Sequence, residues 1–453
     1  MQEETRATFG SKLGIIAATA GSAVGLGNVW RFPSETAGHG GALFIIVYIA
    51  CVVFFGLPLV LAEFVLGRAG RANPARTYRN LAPGKPFHLF GVCAVTAAAL
   101  ILGFYMVVAG WTFEYLKLSI EGTLGATKDF HGLFADLSNS PWRQIFWLVI
   151  SVAFTGTIVA CGVKRGIELA SKIMMPLLLL ILLVMGVRAL TLPGAGDGIA
   201  FLFLPKPENF SADVFASALG QSFFSLSLGM GCLITYSSYF GNDVRLGRTA
   251  GQLVFIDTFF ALFVGMIIFS TAFAVAGADS AQIASTLKGG PGLVFETLPS
   301  LFNALPLGWL WEALFFFLLI LATLTSAISL YEIPVSFISE EFKISRVKTV
   351  LIVSATTIIL GCLSAVSLSD GSVFTIFGKT IFDCLDNLTA NWLMPIGGLF
   401  VSWFTGWKLN QKVVRAQLEN DGTLAVKFFS AYVFILRYVA PLGILTIFVA
   451  TFF

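Results

Sequence analysis

Ala20-Gly21-Ser22-Ala23-Val24-Gly25-Leu26-Gly27-Asn28 interrupts an otherwise plain apolar segment running from residue 13 to 36. Glycine inside a helix is about 1 kcal/mol less favourable than alanine, so this cluster predicts unwound backbone where a helix should run through. A second stretch, Ser225-Leu226-Ser227-Leu228-Gly229-Met230-Gly231, repeats the device inside the apolar segment 214–242. Close helix packing through small residues is the competing reading of either cluster alone. Two matched interruptions favour unwinding.

Around these breaks the chain is too apolar for a soluble surface. Of its 453 residues 57% are hydrophobic, 45 are phenylalanine and only 12% are charged, against about 25% charged in ordinary soluble domains. Uncharged stretches fall at about 13–36, 41–66, 88–116, 143–163, 167–188, 214–242, 249–276, 308–338, 348–368, 374–404 and 428–452. Each is near the roughly 20 residues that cross a bilayer core. Without period-2 alternation they read as helices. The fold class is therefore an all-α integral membrane protein of about eleven spans in one transmembrane domain, 1–453.

The two breaks lie in the first and sixth spans. Five is odd, so residues 10–190 and 213–405 would form inverted repeats, with an eleventh span in 426–453. Broken helices at matching positions of inverted halves point to a binding site near the bilayer midplane. Lys and Arg gather on one side, about three to one: Arg6, Lys12, Arg68–Lys85, Lys164, Arg165, Arg245, Arg248, Lys343–Lys348 and Lys408–Lys427 face Lys117, Lys128, Arg143, Arg188, Lys206 and Lys288. The expected location is the cell membrane, with the N-terminus cytoplasmic and the C-terminus outside.

Polar groups inside spans are the next signal, because they are costly there. Thr325 and Ser326 are adjacent hydroxyls, although back-bonding to the i−4 carbonyl is the commoner use for such a pair taken alone. Asn28, Ser225 and Asp257 supply oxygens of the kind hard cations prefer. Glu63 suits unwound backbone N–H groups, or else snorkels to the membrane edge. Arg31 with Asp386, and Arg6 with Glu340 or Glu341, read as outer and inner ionic gates. His39, His88 and His131 form no metal set, the six cysteines have no CxxC spacing, and no GxxxxGK[ST] string is present.

The string Gly21-Ser22-Ala23-Val24-Gly25-Leu26-Gly27-Asn28-Val29-Trp30-Arg31-Phe32-Pro33 closely resembles the first-span signature of the neurotransmitter:sodium symporters. Gln221 to Gly231 resembles their sixth-span signature and Ala322-Thr323-Leu324-Thr325-Ser326 their eighth. Gly166 with Pro176 resembles a fifth-span motif at which that helix unwinds. The eleven spans suggest the bacterial branch of the family.

This resemblance implies a leucine-transporter-like fold with helices 1 and 6 unwound at mid-membrane, one substrate site and two Na+ sites, and no organic cofactor. The first Na+ would take the Ala23 carbonyl, Asn28, Ser225, Asp257 and the substrate carboxylate. The second would take carbonyls of Gly21, Val24 and Ala322 with the hydroxyls of Thr325 and Ser326. The carboxylate would meet the Leu26 and Gly27 amides and the Tyr105 hydroxyl, and the amine the carbonyls of Ala23, Phe224 and Ser227. Tyr105 and Phe224 would form a lid. Gly25 stands where monoamine carriers have an acidic residue, which implies an amino acid substrate. Ile101, Val108, Met230, Ala327 and Leu330 would line an apolar end for aliphatic or aromatic side chains. Chloride-dependent members resemble the chain at Tyr48, Gln221 and Ser225 but have Asn in place of Asp257, so chloride-independent uptake is expected.

The expected function is a sodium-coupled symporter for hydrophobic L-amino acids, not an enzyme. Its partners would be that substrate and the lipid bilayer, with no nucleic acid, and it would be a monomer or weak dimer. A proton-coupled carrier or a substrate-sensing receptor on the same fold are the alternatives.

Overall fold

The structure, a computed structural model, describes residues 6–205, 212–276, 287 and 289–452. Lys206 and Lys288, counted above in the charge bias, lie outside the described residues. The first apolar segment is two helices, α1 (Lys12–Ala23) and α2 (Gly27–Gly38), bent by 53° at the glycine cluster. Then follow α3 (Ala42–Gly70), α4 (His88–Ile120), α5 (Pro141–Ala160) and α6 (Val163–Leu190). The sixth segment is split into α7 (Ala212–Ser225) and α8 (Cys232–Ser237). After it come α9 (Leu246–Ala276), α10 (Gly308–Phe342), α11 (Arg346–Ser367), α12 (381–408) and α13 (429–452).

Among the described residues eight helices are singly long and apolar enough to cross a membrane, and the bent α1/α2 pair makes a ninth. The other two expected spans are helical but less regular. One is the broken α7/α8; the other is α12, which carries wide π turns at Thr389–Leu393 and Phe404–Lys408. The expected start of that span at residue 374 is corrected to Ile381. Thr375–Ile376 pairs instead with Lys379–Thr380 in a short antiparallel hairpin. Its turn residues Phe377 and Gly378 have φ of 52° and 75°, the left-handed pair that a tight hairpin requires.

Helix α10 lies at the centre, packed against α4, α6 and α1. Its residues Leu318–Ser336 are all buried, polar ones included. The outer helices α5, α6 and α11 turn Phe154, Leu180, Val187, Leu351 and Ile359 outward. Apolar surface that extensive needs hydrocarbon around it.

Candidate functional site

Each broken helix ends for a local reason. After Ala23 the chain turns extended at Val24 (φ −70°, ψ 112°), and helical winding resumes at Leu26–Gly27. In the α7/α8 break Ser227, Gly229 and Gly231 have φ of 54°, 84° and 78°, a conformation no right-handed helix can contain. Glycine at 229 is also required by contact, since a Cβ there would lie 2.1 Å from the Met394 carbonyl oxygen. Glu63 is buried in α3, where its Oε1 accepts from the freed Gly229 N–H at 2.8 Å. The two breaks are tied together by the Ser227 hydroxyl, which donates to the Ser22 carbonyl at 3.0 Å.

A cavity lies between the breaks. Ala23, Gly25, Leu26, Gly27, Phe224, Ser225, Ser227 and Ser326 line one part; Ile101, Tyr105, Val108, Met230 and Leu330 line another. Of the expected substrate residues only Ala327 is not among the lining residues. Ser326 and Leu330 are one turn apart on α10, and Ala327, rotated about 100° from Ser326, is buried elsewhere. Ser22, Trp30, Phe104, Thr389 and Met394 also line the cavity and were not anticipated. Phe104 had a signal: with Ile101, Tyr105 and Val108 it completes an i, i+3, i+4, i+7 stripe. The Tyr105 hydroxyl is buried without a hydrogen bond of good geometry. A Cβ on Gly25 would lie 2.6 Å from Ser326 Oγ and 3.5 Å from that hydroxyl, so a side chain at 25 would fill the polar end.

Two oxygen clusters flank the cavity. In the first, Asn28 Nδ2 donates to Ser225 Oγ at 3.0 Å and to Asp257 Oδ1 at 2.8 Å, and Ser225 Oγ donates to Asp257 Oδ2 at 2.7 Å. Asn28 Oδ1 accepts from Gly25 N–H at 3.0 Å. All three side chains are buried, and the bonds Asp257 receives come from neutral groups. A buried carboxylate lacking a counter-charge suits a small cation. The described residues hold no cluster of three His, Cys, Asp or Glu, so these donors suit an alkali ion better than a transition metal.

In the second cluster Ser326 Oγ donates to the Val24 carbonyl at 3.0 Å and lies 3.4 Å from that of Gly21. Thr325 Oγ1 bonds the Ala322 and Leu321 carbonyls, both at 3.0 Å. The two readings of this pair are thus divided between its members: Thr325 back-bonds within α10, and Ser326 reaches across to α1.

The two pairs expected to act as gates differ in geometry. Arg6 pairs with Glu340, donates to Ser238 Oγ and lies over the Tyr239 ring at 4.6 Å. Arg31 and Asp386 are not within ion-pair distance in this conformation, although both face one cavity. Arg31 pairs with Glu35 one turn along α2, at 3.5 Å, and lies over the Phe224 ring at 5.1 Å. Both Arg31 and Asp386 line a cavity of about 590 Å³ at one end of the molecule, and Arg6 and Glu340 line one of about 1230 Å³ at the other. In this conformation α6 runs as regular α-helix from Leu169 through Pro176 to Leu190. Only Val163–Glu168 is widened, as a π turn. Gly166 is needed there because a Cβ would lie 1.9 Å from the Ile158 carbonyl oxygen.

The model of the sodium:neurotransmitter symporter family matches residues 6–132 and 128–453. The chain is 34% identical to an uncharacterized sodium-dependent transporter, YhdH, of Bacillus subtilis, over 99% of this chain and 98% of that one. It is likewise 34% identical to an uncharacterized sodium-dependent transporter of Haemophilus influenzae, with the same coverage. Among solved structures, MhsT in complex with L-phenylalanine superposes with a TM-score of 0.88 at 39% identity, covering 99% of this chain and 100% of that one.

Proposed function

This chain belongs to the sodium:neurotransmitter symporter family, a family of sodium-dependent membrane transporters, and from that premise we propose that it imports hydrophobic L-amino acids coupled to Na+ by alternating access. The observation that carries this reading is the cavity itself. Its polar end is unwound backbone of α1 and α7 beside a buried carboxylate, and its other end is Ile101, Val108, Met230 and Leu330. That division suits a zwitterion with an apolar side chain. The likeness to a structure solved with L-phenylalanine supports the same class.

The substrate carboxylate meets the Leu26 and Gly27 amides and Tyr105, and completes the shell of the first Na+ with Asn28, Ser225 and Asp257. Shared ligation of that ion is the coupling. A second Na+ between Gly21, Val24, Ala322, Thr325 and Ser326 joins α1 to α10, so its departure frees the inner end of α1. Asp257 supplies the negative charge that makes chloride unnecessary. An apolar pocket separates neighbouring side chains by only about 1–3 kcal/mol per methylene, which gives a range from valine to tryptophan. The repeats 10–190 and 213–405 exchange outer and inner access around this site, with the N-terminus cytoplasmic.

The test is binding of labelled leucine and tryptophan to purified protein in Na+ and then in K+ at equal ionic strength. Tight binding in Na+ alone is the expected result. Equal binding in both salts would remove sodium coupling and favour the proton-coupled alternative. Binding in Na+ with no uptake after reconstitution would leave a substrate-sensing receptor.

A further inference from the structure

Lys12 opens α1, and Arg245 and Arg248 stand at the start of α9. All three are exposed and, with Asp243 and Gln252, line one cavity of about 330 Å³. None of the three basic groups takes part in the ion pairs of the described residues, where Arg6, Arg76 and Lys172 have carboxylate partners. Asp243 lines the cavity but pairs with none of them, so the net charge there is positive.

The cavity is continuous with an apolar groove. Ile16 lines both, and the groove runs on along Leu13, Leu179, Phe255 and Phe259 between α1, α6 and α9. Leu13 is 64% and Phe255 69% exposed, which places this groove in hydrocarbon and not against protein. The ends of α1 and α9 place the basic groups at the level where hydrocarbon gives way to headgroups.

We propose that this cavity and groove form a binding site for one anionic phospholipid, its phosphate held by Lys12, Arg245 and Arg248 and an acyl chain lying along Leu13, Ile16, Phe255 and Phe259. Basic pockets between membrane helices take such headgroups, whereas a zwitterionic lipid brings a compensating cation that three unpaired basic groups repel. The occupant bridges α1 to α9, so it steadies the inner end of α1 in the conformation described here. Its assignment to the inner leaflet rests on the orientation proposed above; the site itself does not.

The test uses the purified full chain in detergent without Na+ or amino acid, so lipid binding is read separately from symport. Native mass spectrometry would compare retention of phosphatidylglycerol and phosphatidylcholine. Phosphatidylglycerol should bind at least about tenfold more tightly. The combined variant Lys12→Gln/Arg245→Gln/Arg248→Gln should abolish that preference, and the control Lys408→Gln/Lys412→Gln should keep it. Equal retention of both lipids by the unaltered protein would overturn the proposal, as would an undiminished preference in the folded triple variant. Should that variant fail to fold, the unaltered protein decides. Affinity for phosphatidylglycerol must then fall from low to high salt, and displacement of the lipid by an equal concentration of inorganic phosphate would reject the lipid in favour of the free anion.

Discussion

The hydroxyl of Ser326, in the buried middle of α10, donates to the carbonyl of Val24 at the break in α1, 3.0 Å away. A serine in a continuous helix ordinarily satisfies itself on its own backbone. Here it joins two elements about 300 residues apart in sequence, and the carbonyls it touches exist as free acceptors only because α1 is unwound. With a cation between them, hydroxyl and carbonyls would turn from partners into co-ligands.

Ser326→Ala is expected to weaken Na+ binding with the fold intact. Removing one contact to a charged group is worth about 1.5–3 kcal/mol, roughly ten- to a hundredfold in affinity. Sodium titration of thermal stability would show it, and an unchanged midpoint would return Ser326 to a packing role.

Gly25→Ala tests the polar end of the cavity. The added methyl would lie 2.6 Å from Ser326 Oγ, closer than carbon and oxygen approach, so the serine must move. Overpacking of this kind costs about 1–3 kcal/mol. Leucine affinity should fall tenfold or more, and sodium affinity with it. If leucine binding survives while melting temperature drops, the glycine serves only the helix break.

How far these relationships could be read beforehand depends on their range. The breaks in α1 and α7 were legible because glycine acts locally, and the buried hydroxyl and carboxylate groups beside them because polar groups are rare in such spans. Phe104 was legible in principle from its helical stripe. Thr389 and Met394 were not: they reach the cavity through the packing of α12 on the α7/α8 break, which no local pattern announces. The Arg31–Glu35 pair was missed for a related reason. Charge matching suggested the partner in the other half, yet Glu35 stands one turn away on the same helix and needs no domain movement to be reached.

Asp257→Asn should make transport chloride-dependent or abolish it. The carboxylate accepts from Asn28 and Ser225, with Tyr48 near it, and the amide keeps the shape of this set while removing its charge. Uptake by reconstituted variant in chloride and in gluconate decides the matter. Full activity in gluconate would show that the charge is dispensable.

One contact should respond to pH. His131, fully exposed in the helix Phe130–Ser138, lies with Nδ1 2.9 Å from Glu296 Oε2. The hydrogen bond and charge of Glu296 raise the histidine pKa above its ordinary value near 6.5. A raised folded-state pKa means the contact contributes fully below about 6.5 and is lost as pH rises through the higher value. Protection of residues 293–303 from hydrogen exchange, after correction for the intrinsic pH dependence of exchange, should therefore fall from pH 6 to pH 8, and Glu296→Gln should abolish that fall. A pH response that persists in the variant would have to come from another group.

The N-terminal end of α1 is held by a carboxylate of α6. Glu168, in the π turn of α6, accepts from Gly10 N–H at 2.6 Å through Oε2, and from Ser11 Oγ at 2.9 Å and Lys172 Nζ at 2.6 Å through Oε1. Its side chain is 3% exposed, and it fits only because residue 14 is glycine, where a Cβ would lie 2.3 Å from Oε1. The N-terminus of α1 and the widened turn of α6 are therefore tied together, and movement of one against the other must break the bonds to Gly10 and Ser11. Glu168→Gln keeps the size but loses the charge that balances Lys172, and Gly14→Ala expels the carboxylate without altering it. Both should raise hydrogen exchange in residues 10–23 and 163–172 together in the absence of Na+, with the rest of the molecule unchanged. If only one of the two segments loosens, the helices are independent and Glu168 is no more than a cap on α1.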